Sequence, residues 1–493
     1  MLAAAFNASW TVAALRSATS RQKPTDTPLF LYGFLPVTLA VWWALIGWQR
    51  QAMAQWWVVV ASLFFYGFWN WRFLPILALS VTLNFHLGRH IAKTRSKPLL
   101  VAGLAFNLGL LAYFKYANFL IQSYGGLTGS GVPGFDIVLP LGISFFTFQK
   151  AAFLVDCRSD PPRHAPSFRR FAFFVSFFPQ LIAGPIVHHV ELIPQISKPV
   201  AFDPRAFGQG LCWFVVGLFK KAVIADRIAE QVDPLFSVHD ALPLVDAWTA
   251  ALGYGLQIYF DFSGYSEMAV GMGLMFGLSL PVNFNSPYRA ASIQEFWGRW
   301  HITLSRFLRQ YLYIPLGGNR HGFLRGLAAV FVTMALGGLW HGAAWTFVLW
   351  GVLHGCYIGV FRVWRLMGIR RLPLFLGRTL TLLVVFWAWV PFRAGTLGQT
   401  VALWRGMAGA NGVAWPSMFR ESLPLGWGIS TRVTGIELAL YLILLAWCLA
   451  KPGLAASVES LEPTRRNALC LGLAMLACVF SLQRYSSFIY WQF

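Results

Sequence analysis

Apolar residues come in long blocks, and the blocks alternate with short polar, basic stretches. A membrane-crossing helix needs ~20 apolar residues. Blocks of about that size run over 29–48, 55–70, 73–91, 98–121, 139–156, 168–187, 206–226, 247–262, 264–280, 324–340, 343–363, 374–392, 433–450 and 467–484. Several are short or interrupted by Gly and Pro. Irregular backbone cannot face lipid, so these pieces read as re-entrant or broken helices buried in protein. The pattern therefore predicts about 11 true spans plus re-entrant segments, an all-α integral membrane protein.

Residues 283–320, "NFNSPYRAASIQEFWGRWHITLSRFLRQYLYIPLGGNR", break the pattern. They are too polar to span and too aromatic for a plain loop. Pro287, Pro315 and the Gly317-Gly318-Asn319 turn residues bracket a predicted helix. On one helical face lie Arg299, Thr303, Arg306 and Gln310. Trp300, Leu304, Phe307 and Tyr311 share the next. An amphipathic helix on anionic headgroups is one reading. A pocket wall for a phosphate-bearing donor is the other, because guanidinium groups fork onto phosphate.

Composition strengthens the membrane reading. Of 493 residues, 57% are hydrophobic and 12% charged, against roughly 25% charged in soluble domains. Net charge is +21. The basic residues fall between apolar blocks, as in 88–97 and 362–371, which is the pattern of cytoplasmic loops rather than of nucleic-acid binding. That rule places 88–97 and 289–325 in the cytoplasm, with 123–149 and 228–247 outside. The six cysteines form no C-x-x-C pair and no zinc spacing, so neither a disulfide framework nor a metal is expected. Residues 1–27 lack the order of a signal peptide and read as a poorly ordered N-terminal extension. Residues 28–493 read as a single transmembrane domain, with a catalytic core at about 139–360.

Within "GGLWHGAAW" (337–345), His341 is an ionisable group inside an apolar run. Such groups face a bundle interior or a wet cavity. A neutral imidazole there can act as a general base on a hydroxyl. It can equally be a core histidine bonded to a carbonyl. Gly337, Gly338, Gly342 and the two alanines permit close helix approach and also leave clearance for a substrate, walled by Trp340 and Trp345. Asp261 reads as a cap for a helix starting near Ser263, or as the partner of a histidine.

Taken in order, "FFYGFWNWRF" (64–73), "LPLGISFFTFQ" (139–149), "FFPQLIAGPI" (177–186), "DFSGYSEMA" (261–269), the 283–320 segment, "GGLWHGAAWTFVLWGVLHG" (337–355) and "FIYWQF" (488–493) resemble the membrane-bound O-acyltransferase family, in its bacterial alginate O-acetylation branch. The resemblance implies a ring of helices around a thinned centre, with a funnel and a tunnel. It implies His341 and His301 as catalytic residues. Arg299, Arg306, Arg309, Trp340, Trp345, Asp261 and Asn319 become candidate donor-binding or acyl-binding positions. No bound cofactor is expected, and acetyl-CoA is the expected acyl donor. The implied place is the bacterial inner membrane. The implied partners are membrane lipid, periplasmic acetyltransferases and an exopolysaccharide acceptor such as alginate. Peptidoglycan, cellulose, a teichoic-acid D-alanylation carrier or a lipid are alternative acceptors, and a polysaccharide transporter is the rival class. Two positions depart from the family pattern, Gln310 and Glu267, where aspartate is usual.

Overall fold

A computed structural model describes residues 28–130, 133–160, 166–181, 184–237, 241–370, 372–416, 433–450, 453–459, 462 and 464–482. The extension over 1–27 and the "FIYWQF" ending lie outside them. Among the described residues every regular element is helical. In chain order the α-helices are α1 (Leu35–Gly47), α2 (Gln51–Asn70), α3 (Leu74–Thr94), α4 (Lys97–Leu111), α5 (Ala117–Thr128), α6 (Ile143–Ser159), α7 (Phe168–Ser176), α8 (Phe178–Leu181), α9 (His189–Ser197), α10 (Pro204–Phe219), α11 (Asp226–Ser237) and α12 (Leu244–Met275). After them come α13 (Ile293–Arg299), α14 (Ile302–Leu308), α15 (Phe323–His341), α16 (Trp345–Leu366), α17 (Leu374–Arg393), α18 (Leu397–Met407), α19 (Gly435–Ala450), α20 (Leu454–Glu459) and α21 (Arg465–Ser481).

Seven helical stretches among the described residues are long and apolar enough to cross a membrane: 30–47, 51–94, 97–128, 204–236, 323–341, 345–366 and 374–393. The second has 44 residues and holds both α2 and α3. The chain divides into two compact units. Among the described residues, the first comprises those of 28–214, 268–280 and 475–482, and the second those of 215–267 and 281–474.

In the first unit, aromatic rings fill the core. Phe178 meets Phe34 at 5.1 Å and Phe30 at 6.1 Å, and Phe276 meets Trp42 at 5.7 Å and Phe177 at 5.6 Å. The apolar run 168–187 is broken as expected. It forms α7 and the four-residue α8 and then leaves the helix before α9. These pieces are buried, which is the condition for irregular backbone in a membrane protein.

The two predicted blocks 247–262 and 264–280 form one helix, α12, of 32 residues. The helix start expected near Ser263 is absent, and glycines along the helix serve close packing. In the first unit a Cβ on Gly210 would lie 2.7 Å from the Gly271 carbonyl oxygen. In the second, one on Gly264 would lie 2.6 Å from that of Gly217. Small residues permit backbones to approach this closely, and the helix continues through them.

The second unit contains the α15–α16 hairpin, packed through the same device. A Cβ on Gly338 would collide with the Phe347 carbonyl oxygen and lie 3.0 Å from the Gly351 nitrogen. A Cβ on Gly351 would collide with the Met334 carbonyl oxygen and lie 3.0 Å from the Ala335 Cα. Backbone cannot yield as a flexible side chain can. Gly351→Ala is therefore expected to cost about 1–3 kcal/mol. Gly355→Ala, whose nearest neighbour is the Phe331 ring at 3.3 Å, should cost much less. Thermal unfolding of the two variants in detergent checks this order, and equal melting temperatures would contradict it.

Candidate active site

All residues of the site described here belong to the second unit. α15 ends at His341, and Gly342 and Ala344 are extended before α16 begins at Trp345. The apolar run is therefore two helices with a corner, and His341 stands at the corner. Its side chain is buried. The rings around it are Trp340 at 4.9 Å, Trp350 at 5.2 Å and Phe392 at 5.2 Å, all edge-on. Trp345 does not belong to this wall. It is the first residue of α16 and is 55% exposed.

The small neighbours follow the close-packing reading. A Cβ on Gly342 would enter the Phe347 ring, and one on Gly337 would meet Leu308 Cδ1 at 3.1 Å. With Gly338 against α16, all three glycines are occupied by packing. They do not provide clearance for a substrate.

The predicted continuous helix through 299–311 is broken. α13 ends at Arg299, Trp300 is extended, and His301 has left-handed backbone (φ 44°) as the N-cap of α14. The cause lies in the preceding strand of chain. Asn285 N–H donates to the Arg299 carbonyl at 2.9 Å, and Ile302 N–H donates to that of Asn283 at 3.0 Å. These bonds replace helical ones across the break. The Asn283 side-chain oxygen then accepts from Thr303 N–H at 3.1 Å and Thr303 Oγ1 at 2.9 Å. A non-glycine residue at positive φ is strained, and such strain concentrates at functional sites.

His301 is fully buried, and its Nδ1 lies 3.1 Å from the same Asn283 oxygen. With that oxygen as acceptor, Nδ1 carries the proton and the lone pair sits on Nε2. Burial pushes the imidazole down from 6.5 to about 3. The ring is neutral at pH 7. It faces Phe262 at 4.7 Å, Trp340 at 6.2 Å and His341 at 6.3 Å between centroids. The fold thus brings together two histidines that are 40 positions apart (341 − 301 = 40).

The depressed His301 pKa has a consequence for stability. The unfolded imidazole takes a proton near pH 6.5, whereas the folded one takes it only near 3. Between those values the unfolded state binds more protons, so stability falls as pH drops through the window and is unaffected above it. Asparagine tolerates positive φ. His301→Asn should therefore flatten the acid side of the melting-temperature profile. An unchanged slope would assign the acid loss to other groups.

A third histidine was missed by sequence reasoning. His354 on α16 is fully buried and accepts from Trp297 Nε1 at 3.2 Å. It touches Trp350 at 4.8 Å, so it joins α13 to the ring that touches His341. The only sequence signal was its place in the quoted 337–355 motif.

The remaining candidates are scattered. Arg299 pairs with Glu295 at 2.9 Å and donates to the Asn285 carbonyl at 3.1 Å, so its charge is matched. Arg306 is half-buried, and Arg309 and Gln310 are exposed. Asn319 accepts from the Tyr313 hydroxyl at 2.5 Å, and Arg362 donates to that hydroxyl at 3.0 Å. Asp261 does not cap a helix. It lies inside α12 and pairs with Lys221 at 2.6 Å. Glu267 likewise pairs with Lys220 at 2.6 Å.

The model of the MBOAT, membrane-bound O-acyltransferase family, matches residues 108–392. The chain belongs to that family. This acyltransferase is 36% identical to a peptidoglycan O-acetyltransferase of Helicobacter pylori, over 95% of its own length and 97% of the relative's. It is 40% identical to the "Probable alginate O-acetylase AlgI" of Azotobacter vinelandii, over 75% and 74%. It is 35% identical to the protein of the same name from Pseudomonas putida, over 94% and 99%. These matches and the seven apolar helices make the acyltransferase a multi-pass membrane enzyme of the alginate O-acetylation branch, and His301, His341 and His354 all lie within the matched residues.

Proposed function

We propose that this enzyme moves acetyl groups from cytoplasmic acetyl-CoA across the inner membrane for O-acetylation of an exopolysaccharide such as alginate. The observation that carries the chemistry is the pair of buried imidazoles, His301 and His341, at 6.3 Å within one aromatic enclosure. A thioester is already activated, so the enzyme has to position the reactants, supply a base and exclude water. His341 takes the proton of the attacking hydroxyl. The new C–O bond forms as the C–S bond breaks, and the proton passes to the departing thiolate. The corner position helps, because the C-terminal end of α15 favours the positive charge that builds on the ring. His301 holds an O–H or N–H of a substrate through its Nε2 lone pair. Periplasmic acetyltransferase partners complete delivery to the polymer.

Arg306 and Arg309, on the basic segment that carries His301, are the donor-side cations, and Arg299 is held by Glu295. Arg306→Gln and Arg309→Gln are expected to raise the apparent KM for acetyl-CoA more than they lower kcat. An unchanged KM would assign both to lipid headgroups.

Peptidoglycan is a second acceptor reading, favoured by the Helicobacter pylori relative that matches along nearly both full lengths. Mass spectrometry of exopolysaccharide and of muropeptides, with and without the gene, separates the two. Loss of acetate from exopolysaccharide supports the first reading, and loss from muropeptides the second. No loss from either polymer would sink polysaccharide acetylation altogether.

A further inference from the structure

The first unit holds a cluster unconnected with the acyl-transfer reading. Asp156 lies in the last turns of α6, His188 is the N-cap of α9, and His189 is its first residue. Nδ1 of His188 is 3.5 Å from Asp156 Oδ2, and Nδ1 of His189 is 3.6 Å from the same oxygen. One ligand atom from each of the three residues falls within a sphere where all lie within 4.8 Å of one another.

We propose that Asp156, His188 and His189 bind a divalent first-row transition metal, zinc foremost. The spacing is the first argument. Zn–N and Zn–O bonds of about 2.0–2.2 Å in a tetrahedron separate the ligand atoms by roughly 3.3–3.6 Å. Both Nδ1–Oδ2 distances fall at the upper edge of that range. Ligand chemistry is the second. Two imidazoles and one carboxylate suit Zn²⁺, Fe²⁺ or Co²⁺, whereas Mg²⁺ and Ca²⁺ prefer all-oxygen sites.

The third argument is the state of the ligands. His189 is 4% exposed, and its Nδ1 makes no hydrogen bond. A neutral imidazole offers a lone pair to a metal. The Phe153 ring packs edge-on at 5.3 Å and fixes its orientation. His188 is held by a capping box, in which the Glu191 carboxylate accepts from the His188 backbone N–H at 2.8 Å. The Glu191 N–H faces the His188 side chain in the same box, so an ion displaces one neutral hydrogen bond there. The Asp156 side chain keeps 16% exposure, which leaves a route for the ion. A metal at this point would clip the end of α6 to the start of α9.

The test uses the full chain in detergent, stripped with chelator and then titrated with Co²⁺. One ion per chain, with the visible d–d absorption of a low-coordinate site, is expected. Asp156→Asn and His189→Gln should each weaken uptake beyond the ~10–100-fold that follows loss of an outer-shell partner. Absent stoichiometric uptake by the wild type, or wild-type uptake in both variants, overturns the site. Should the variants fail to accumulate, X-ray absorption of the Zn²⁺-loaded wild type decides. Two imidazoles with oxygen support the site, and sulfur or a lone imidazole overturns it. None of these readouts depends on acyl transfer.

Discussion

Replacement of His341 by alanine is expected to lower acetylation by ~10²–10⁴-fold, the usual contribution of a general base, while the chain still reaches the membrane. The residue is 4% exposed and enclosed by Trp340, Trp350, Phe392 and His301. Truncation therefore also empties part of a packed interior, and a packing defect alone could lower activity. Two further variants separate the causes. His341→Gln fills most of the volume but has no basic nitrogen, so it should be as inactive as alanine with a melting temperature closer to wild type. Trp350→Phe should lower the melting temperature and keep most of the activity, because it disturbs the same wall and leaves the basic nitrogen of His341 in place. Were His341→Gln to retain more than about a tenth of the activity, which is far less than a base contributes, the assignment would fall. His301, at 6.3 Å from His341, would then be left to supply the base.

The helix-forming blocks were legible because periodicity and apolar length act locally. The bounds of α15, α16 and α17 fall within a few residues of the predicted spans. The O-acyltransferase family was legible too, since its motifs are short and ordered. What could not be read depended on partners distant in sequence. The break at His301 exists because Asn283 and Asn285 take the backbone bonds that helix continuity would need. The glycines of 337–342 looked like open space, and only the partner helix shows that Phe347 and Gly351 fill it. Trp345 shared the motif with Trp340, yet it lies on the exposed side of the corner. The meeting of Asp156 with His188 and His189 could not be read for a similar reason, because Asp156 arrives from another helix.

Asp261 shows the same limit, and it carries the second large expectation. A carboxylate before Ser263 suggested a helix cap, but the helix runs through it. Its partner is Lys221, which also pairs with Asp226, and the Lys220–Glu267 pair is the next charge along α12. Lys221 and Asp261 each have about 2% side-chain exposure, and Asp226 has 10%. Removing one partner from a buried ion pair leaves an uncompensated charge and costs about 3–5 kcal/mol. Lys221→Met should do so, and more severely than usual, because two carboxylates lose one lysine. Against a typical stability of ~5–15 kcal/mol, that predicts poor accumulation and a markedly lower melting temperature. Neutralising a buried pair as a whole is often nearly free. The double variant Lys221→Met/Asp261→Asn should thus recover part of the loss, a coupling that a double-mutant cycle measures. Additive destabilisation would show that the pair does not couple. The same double variant tests the acyl-binding expectation for Asp261. If the recovered protein acetylates at the wild-type rate, Asp261 is there to hold Lys221, and the donor is bound elsewhere.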